Sequence, residues 1–168
     1  VVLRDAVLTY LQKVGRRELS DSESEEHDRL VAATGEIETL GAAISRDLAP
    51  LSQALVDAEV TPSKDTADLF DRLLQATIDA ARAALHAVVE RDQQAAQTVV
   101  AGRGALLALS ADLQRQQAQR LAQDDPNRLA KHRVQVEILD GLRRIYSASE
   151  HMALSVLPRS VLAGELYS

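Results

Sequence analysis

The chain has 168 residues with a formal net charge of −6, and 46% of its residues are hydrophobic while only 2% are aromatic. A core of Leu, Val, Ile and Ala suits helix–helix packing better than a β-sandwich, and an acidic chain without a basic stripe lacks the clustered Lys and Arg that nucleic-acid binding needs. The absence of cysteine excludes disulfides, thiolate metal sites and a cysteine nucleophile.

The first predicted helix covers residues 1–14, and its apolar face holds Leu3, Val7, Leu11 and Val14. Ser20 and Glu23 then have the spacing of a capping box, which predicts the start of a second helix. Apolar residues recur along this helix at alternating spacings of three and four, which predicts a coiled-coil-like seam. The seam holds Leu30, Ala33, Ile37, Gly41, Ile44, Leu48, Leu51 and Leu55. Pro50 predicts a kink rather than an end, because the seam continues in phase beyond it.

Three further helices are expected after a turn in which Thr61 is the predicted N-cap. The third helix covers about residues 67–89 and bends or breaks near Asp92. The fourth covers about residues 93–123, where Gly102 and Gly104 indicate close packing or local flexibility. Asp125 is the predicted N-cap of the fifth, which runs to Leu157 and stops at Pro158. With no alternating strand pattern, the sequence predicts an all-α, elongated antiparallel bundle of five helices.

The sequence also contains a weak internal repeat. A shift of 105 residues places Ile37 on Leu142, Leu40 on Ile145 and Leu51 on Val156. Heptad patterns match one another at any multiple of seven residues, so chance agreement in phase is a serious alternative to a true repeat.

The last helix carries a concentration of ionisable residues whose role depends on which way they face. With a turn of about 100° per residue, Ile138, Leu142, Ile145, Ser149, Met152 and Val156 share one face. Asp140, Arg143, Ser147 and His151 fall on the opposite face, flanked by Arg144 and Glu150. We interpret the charged face as solvated, with an i,i+4 pair of Asp140 and Arg144, and it becomes a site only where another domain or chain covers it.

Recognisable catalytic and metal-binding chemistry is absent from the sequence. Glu23 and His27 lie four residues apart, but such residues in a solvated first helical turn are more often surface groups than metal ligands. Glu36 and Glu38 point about 100° to either side of Ile37, so they cannot clamp one ion together. No phosphate-binding loop, nucleophile elbow or zinc-binding helix motif occurs. We therefore expect no catalytic residues, no metal and no cofactor, and the chain is not predicted to be an enzyme.

Two stretches in the middle of long helices, "EIETLG" (36–41) and "LRRIYS" (142–147), resemble the paired signature of the PhoU family. Together with "ELSDSES" and "RIYSASEHMALSVL", they are similar to the PhoU-like C-terminal region of bacterial Na+/phosphate cotransporters. The resemblance implies three-helix units: residues 1–60 hold the last two helices of a first unit, residues 61–158 a complete second unit, and residues 159–168 a tail.

The same resemblance implies a function and a location. The chain would be a regulatory or accessory domain on the cytoplasmic side of the membrane, attached to a transmembrane transport domain N-terminal to Val1, and able to self-associate. The fragment itself contains no apolar run long enough to cross a bilayer and is expected to be soluble. The alternatives are a free-standing PhoU-like regulator of phosphate uptake and a structural or signalling helical bundle, with a metal-dependent enzyme as a more remote one.

The chain departs from the family where the family binds metal. PhoU proteins use carboxylates spaced Glu-x-x-x-Asp, whereas Glu38 is followed at that spacing by Ala42, and Arg143 and Ser147 occupy both positions in the second copy. Without these carboxylates a hard cation has too little negative charge to bind, so metal binding is not carried over. The candidate contacts to an anion or a partner surface are instead Arg143, Arg144, Ser147, Glu36 and Glu38.

Overall fold

The protein is a bundle of antiparallel helices. The computed structural model describes residues 2–51, 53, 62–121 and 128–158. A first hairpin consists of α1 (Val2–Val14) and α2 (Asp21–Ala42), and α2 continues into a π-helix (Ala43–Leu48). The second group consists of α3 (Lys64–Glu90), α4 (Gln93–Ala101), α5 (Arg103–Leu121) and α6 (Arg128–Leu154). No strand occurs within these described ranges. Since α4 and α5 form one interrupted helix, the described residues form five helices, and the prediction of an all-α bundle is confirmed.

Local capping signals place the helix starts. The Ser20 Oγ accepts a hydrogen bond from the Glu23 backbone N–H, and the Glu23 carboxylate accepts one from the Ser20 N–H at 2.9 Å, so the predicted capping box is confirmed. Asp92 caps α4 by accepting from the backbone N–H groups of Gln94 and Ala95. Arg91, with φ of 55°, turns the chain between α3 and α4, so the predicted break near Asp92 is also confirmed.

Several other boundaries differ from the prediction. The N-cap of α3 is Ser63, whose hydroxyl accepts from the Thr66 N–H. The predicted caps Thr61 and Asp125, the seam residue Leu55 and the tail 159–168 lie outside the described residues. The last helix ends at Leu154 rather than at Leu157, because the N–H groups of Val156 and Leu157 bond to carbonyls three residues back and tighten the final turn.

The α6 helix lies at the centre of the bundle, where it contacts α2, the π-helix, α3, α4 and α5. Its buried side chains therefore lie on several faces. The largest fully buried apolar side chains of the core are Leu73, Leu113, Leu139 and Met152. Around them the core is rich in alanine, which lets helix backbones approach closely; the buried alanines are Ala33, Ala43, Ala80, Ala84, Ala87, Ala96, Ala148 and Ala153.

The predicted seam of the second helix is buried only in part. Leu30, Ile37 and Ile44 remain 36%, 48% and 54% exposed. Ala33 of the seam is buried and Leu48 packs against the core, but the other buried residues of this helix, Leu40 and Ala43, lie outside the predicted seam. Large apolar side chains dominate a periodicity pattern, whereas two of the three buried residues here are alanines, so the pattern is displaced from the face that contacts α6.

Two long helices are interrupted, one near Pro50, where a kink was predicted, and one at Gly102, where close packing or local flexibility was predicted. Pro50 was expected to kink the second helix, but the irregular segment precedes it as the π-helix Ala43–Leu48, and the chain is α-helical again from Ala49 to Leu51. Pro50 has no N–H for the carbonyl one turn before it, so the backbone next to it cannot keep a regular α-helical ladder. The fourth predicted helix is broken at Gly102, which separates α4 from α5.

Candidate functional site

From Asp140 to the end of α6 the exposed residues form one narrow row, which we call the charged row: Asp140, Arg144, Ser147 and His151. These residues recur at spacings of three and four, so they lie along one helical edge. The solvated face that the sequence predicted is narrower than expected. Arg143 is half-buried, and Glu150 is only 8% exposed because α5 covers that side of α6.

Two members of the charged row form ion pairs across the bundle. The Arg144 guanidinium donates to the Asp47 carboxylate of the π-helix at 2.8 Å, and His151 Nδ1 lies 3.2 Å from the Glu36 carboxylate of α2. These contacts run antiparallel, because the residue later in α6 meets the residue earlier in α2. Both pairs are largely exposed, so they specify the register of α2 on α6 more than they stabilise it.

The predicted pair of Asp140 and Arg144 does not form, since Arg144 is held by Asp47. Asp140 lies instead 3.8 Å from the Arg143 guanidinium, beyond hydrogen-bond distance. The sequence could not anticipate this arrangement, because the carboxylate of Asp47 comes from a helix nearly a hundred residues earlier in the chain.

Glu36 and Glu38 point to different helices, as their spacing predicts. Glu36 faces His151, while Glu38 accepts hydrogen bonds from the Arg4 guanidinium of α1. The hydrogen bond from Arg4 holds the pKa of Glu38 below its ordinary value. Each carboxylate is thus engaged with its own basic partner, and the two do not converge on one ligand.

A cavity of about 320 Å³ lies between the π-helix and α6 beside the charged row. Arg46 and Arg144 bring two positive charges to its lining, while Asp47, Glu137 and Asp140 bring three negative ones. Since Arg144 is already paired with Asp47, the lining offers no excess positive charge to a free anion. The arrangement favours a partner surface of mixed charge over a bound anion as the ligand of this face.

On the other side of α6, Tyr146 holds the junction between α4 and α5. Its hydroxyl donates a hydrogen bond of 2.5 Å to the Val99 carbonyl. The absence of a side chain at Gly102 makes room for this contact, since a Cβ there would lie 3.1 Å from the Tyr146 hydroxyl oxygen. One helical turn later, the nearly buried carboxylate of Glu150 lies 3.4 Å from the Arg103 guanidinium at the start of α5.

The surroundings of Tyr146 also shift the pKa of its hydroxyl. Burial raises the pKa of the Tyr146 hydroxyl, the neighbouring Glu150 carboxylate raises it further, and the Arg103 charge opposes both. The hydroxyl therefore stays protonated and serves as a donor. Sequence reasoning missed this cluster; its signals were a tyrosine in a chain with very few aromatics and a glycine inside a predicted helix.

The weak metal candidate of the sequence does not assemble. Glu23 is engaged in the capping box, and His27 Nε2 lies 3.0 Å from the Leu11 carbonyl at the end of α1. His27 Nδ1 lies 3.3 Å from the exposed Asp28 carboxylate. Across the described ranges, no group of three or more His, Asp or Glu side chains is placed to hold a metal ion. Within the same ranges, no helix is both long and apolar enough to cross a membrane.

The α1–α2 hairpin presents an uncovered apolar face, which we call the hairpin stripe: Val7, Tyr10, Leu30, Ile37 and Ile44. Arg4 meets Glu38 while His27 meets the end of α1, so the two helices run antiparallel. In that arrangement helical geometry places the α1 and α2 members on the same side of the hairpin. Their exposed fractions are 37%, 66%, 36%, 48% and 54%.

The predicted internal repeat relates the hairpin stripe to positions on α6. The positions 105 residues after Leu30, Ile37 and Ile44 are Gln135, Leu142 and Ser149, which are 8%, 2% and 0% exposed. The positions that are buried on α6 are therefore exposed on α2 and the π-helix.

Comparison with known proteins gave no relative. No family model matches the chain, and neither the curated proteins nor the solved structures contain a match. A functional assignment therefore depends on the resemblance of the two motif stretches and on the surfaces just described.

Proposed function

We propose that this chain is a non-enzymatic, PhoU-like regulatory domain of a Na+-coupled phosphate transporter, and that it works by docking through the hairpin stripe. The transporter assignment comes from the resemblance of residues 36–41 and 142–147 to the PhoU signature. The docking mechanism depends on one observation, the exposed row of Ile37, Ile44 and their neighbours, which no other described segment of the chain covers. The proposed partner is the transport domain of the same protein on the cytoplasmic side of the membrane.

The internal comparison supports docking as the mechanism. If the two units are copies, the face that α6 buries at Gln135, Leu142 and Ser149 corresponds to the face left open on α2. A helix from a partner seated on the hairpin stripe would complete a three-helix unit. The apolar side chains of such a helix would remove Ile37 and Ile44 from water, which is the main favourable contribution in such an interface.

The charged row supports a docking role more than a catalytic one. Its arginine and histidine are occupied by Asp47 and Glu36, and the adjacent cavity has carboxylates in excess. Arg143 and Ser147 then act at most as rim contacts around a partner. Ion pairs at a rim affect specificity and the rate of association more than affinity.

The decisive experiment measures Na+-dependent phosphate uptake in cells whose own copy of the gene carries the substitutions. Ile37→Asp with Ile44→Asp places charges on the hairpin stripe without entering the core. The matched control is Val89→Asp with Leu107→Asp, which changes two apolar residues that are 74% and 52% exposed on α3 and α5. We expect altered uptake, or an altered response of uptake to external phosphate, for the stripe variant alone.

Equal uptake in both variants and the parent, with the variant proteins folded and present at equal levels, would refute the docking proposal. A second variant separates the charged row from the stripe. The double variant Arg143→Ala, Arg144→Ala removes both arginines. If they are rim contacts that contribute little to binding, phosphate uptake and its regulation stay unchanged. A strong effect of that variant would move the docking site from the hairpin to α6.

A further inference from the structure

The π-helix and the Gly102 junction contact α6 within about one and a half helical turns of each other. On one side Leu48 of the π-helix presses on Gly141, where an added Cβ would lie 2.6 Å from the Leu48 Cδ2 atom. On the other side Tyr146 reaches the Val99 carbonyl beside Gly102. Gly141 and Tyr146 are five residues apart, about 7.5 Å along the α6 axis.

Both irregular points have weakened helical ladders. In the π-helix the Ala49 N–H bonds to the Ile44 carbonyl five residues back, which widens the turn. At the junction the Gly102 N–H is shared between the Thr98 and Val99 carbonyls, each at 3.2 Å. A helix bends most easily where its regular pattern of backbone hydrogen bonds is already interrupted. The two interrupted helices are therefore most easily bent at the π-helix and at Gly102.

The long helices α3 and α6 are unbroken from Lys64 to Glu90 and from Arg128 to Leu154. The contacts that hold both irregular points come from α6. Leu48 fits against Gly141 and Asp47 pairs with Arg144 on the α2 side. Tyr146 and Glu150 hold Val99 and Arg103 on the other side.

We infer that the π-helix and the Gly102 junction are the two sides of one hinge, and that α6 latches both through Gly141 and Tyr146. Releasing either contact loosens α6 between Gly141 and Tyr146. The helix on the opposite side of α6 then bends more easily at its own irregular point. The parts that move are the α1–α2 hairpin on one side and α5 on the other. The hinge is a property of the bundle and does not depend on the transporter assignment, although Ile44 belongs to both the hinge and the hairpin stripe.

Hydrogen exchange, read by mass spectrometry on the purified chain, tests the latch on the Tyr146 side. Tyr146→Phe keeps the ring and removes only the hydrogen bond to Val99. We expect exchange to rise about five- to tenfold in residues 99–106, as the loss of one net hydrogen bond predicts. Residues 43–49 should show a rise as well, while residues 73–88 of α3 keep the parental rate. Tyr10→Phe, at a tyrosine that is 66% exposed, is the control.

The reciprocal variant tests the same hinge from the other side. Gly141→Ala forces Leu48 away from α6, and we expect faster exchange both in residues 43–49 and in residues 99–106. Gly35→Ala, where a new Cβ meets nothing within 4 Å, is its control. Coupling between two sites is reciprocal, so each substitution must act on the segment opposite to it.

Faster exchange in both segments, with α3 unchanged, supports a single hinge. Faster exchange only on the substituted side means two independent local contacts and overturns the hinge. A uniform rise throughout the chain means a loss of global stability, and it also overturns the hinge. No change in exchange means that Tyr146 and Gly141 hold neither segment, which overturns the hinge as well. If Tyr146→Phe fails to fold, Gly141→Ala gives the same decision.

Discussion

Two buried serines of the core provide a direct test of how polar groups are satisfied in this bundle. Ser110 of α5 and Ser149 of α6 are both 0% exposed. The Ser149 hydroxyl donates to the Ile145 carbonyl at 2.8 Å, whereas the Ser110 hydroxyl has no hydrogen-bond partner. We predict that Ser110→Ala stabilises the protein and that Ser149→Ala does not.

The magnitude follows from what each substitution removes. An unsatisfied buried hydroxyl costs about 1–3 kcal/mol, and Ala is a better helix former than Ser by about 0.5 kcal/mol. For Ser110→Ala both contributions are favourable, so the free energy of unfolding should rise by about 1.5–3.5 kcal/mol. For Ser149→Ala the lost hydrogen bond, worth about 1 kcal/mol, offsets the gain in helix propensity. The expected change is a loss of about 0.5 kcal/mol or less.

Urea denaturation followed by circular dichroism measures both variants against the parent chain, with a common slope m as the check that the unfolded states are alike. In a thermal scan the gain from Ser110→Ala corresponds to a rise in Tm of at least about 2–4 °C. If Ser110→Ala is no more stable than Ser149→Ala, the Ser110 hydroxyl has a partner and the reasoning is wrong.

Three further substitutions have expected outcomes in the same assay. Gly35→Ala should stabilise the chain by up to about 1 kcal/mol, because it removes backbone freedom in the middle of α2 and its Cβ meets no neighbour. Gly141→Ala should fall short of that gain by about 1–3 kcal/mol, because its Cβ overlaps the Leu48 side chain; equal gains would mean that the fit is loose. The hydrogen bond from Arg29 lowers the pKa of Glu26 below 4.5, so the stability that this contact contributes is present above pH 4.5 and is lost as the pH falls through the folded-state pKa. Glu26→Gln should therefore flatten the decline of stability with acid below about pH 4.5, and an unchanged acid profile would contradict the assignment.

Local signals in the sequence predict some of the helix starts and leave the long-range contacts open. The Ser20 and Glu23 capping box depends on residues within one turn, so spacing alone reveals it, whereas the N-cap of α3 is Ser63 and not the predicted Thr61. The face that α2 buries depends on which side α6 approaches, and the alanines at 33 and 43 give too weak a hydrophobic signal to indicate it. Periodicity placed Ala33 and Leu48 of the seam correctly in or against the core, but it also assigned the exposed Leu30, Ile37 and Ile44 to the buried face.

In the candidate site, too, helical spacing predicted which residues are exposed but not which residues they contact. Helical spacing predicted that Glu36 and Glu38 would diverge and that Asp140 and His151 would be exposed on α6. The contacts that give these residues partners join segments about a hundred residues apart, such as Arg144 with Asp47. No local pattern encodes such a register, and for that reason the Tyr146 contact with Val99 could not be predicted.

The energetics of the hairpin stripe bear on which of the proposed partners fits best. Fully burying one large apolar side chain is worth about 1.5–3 kcal/mol, and the five stripe residues retain between 36% and 66% of their exposure. Covering the stripe therefore gains roughly 1 kcal/mol per residue, about 5 kcal/mol in all. Losing the free motion of a separate partner costs about 4–15 kcal/mol, so the stripe alone would bind a free partner weakly.

A tether removes most of that cost, because a short linker holds its partner at an effective concentration in the millimolar range. The size of the stripe therefore favours a domain attached to its transport partner over a free-standing regulator. Affinity distinguishes the two. The isolated chain, added in trans to a transport domain that lacks it, should bind with a Kd of about a millimolar or weaker, and Ile37→Asp should abolish that binding. Tight binding in trans, with a Kd of a micromolar or below, would favour the free-standing regulator and require an interface larger than the hairpin stripe.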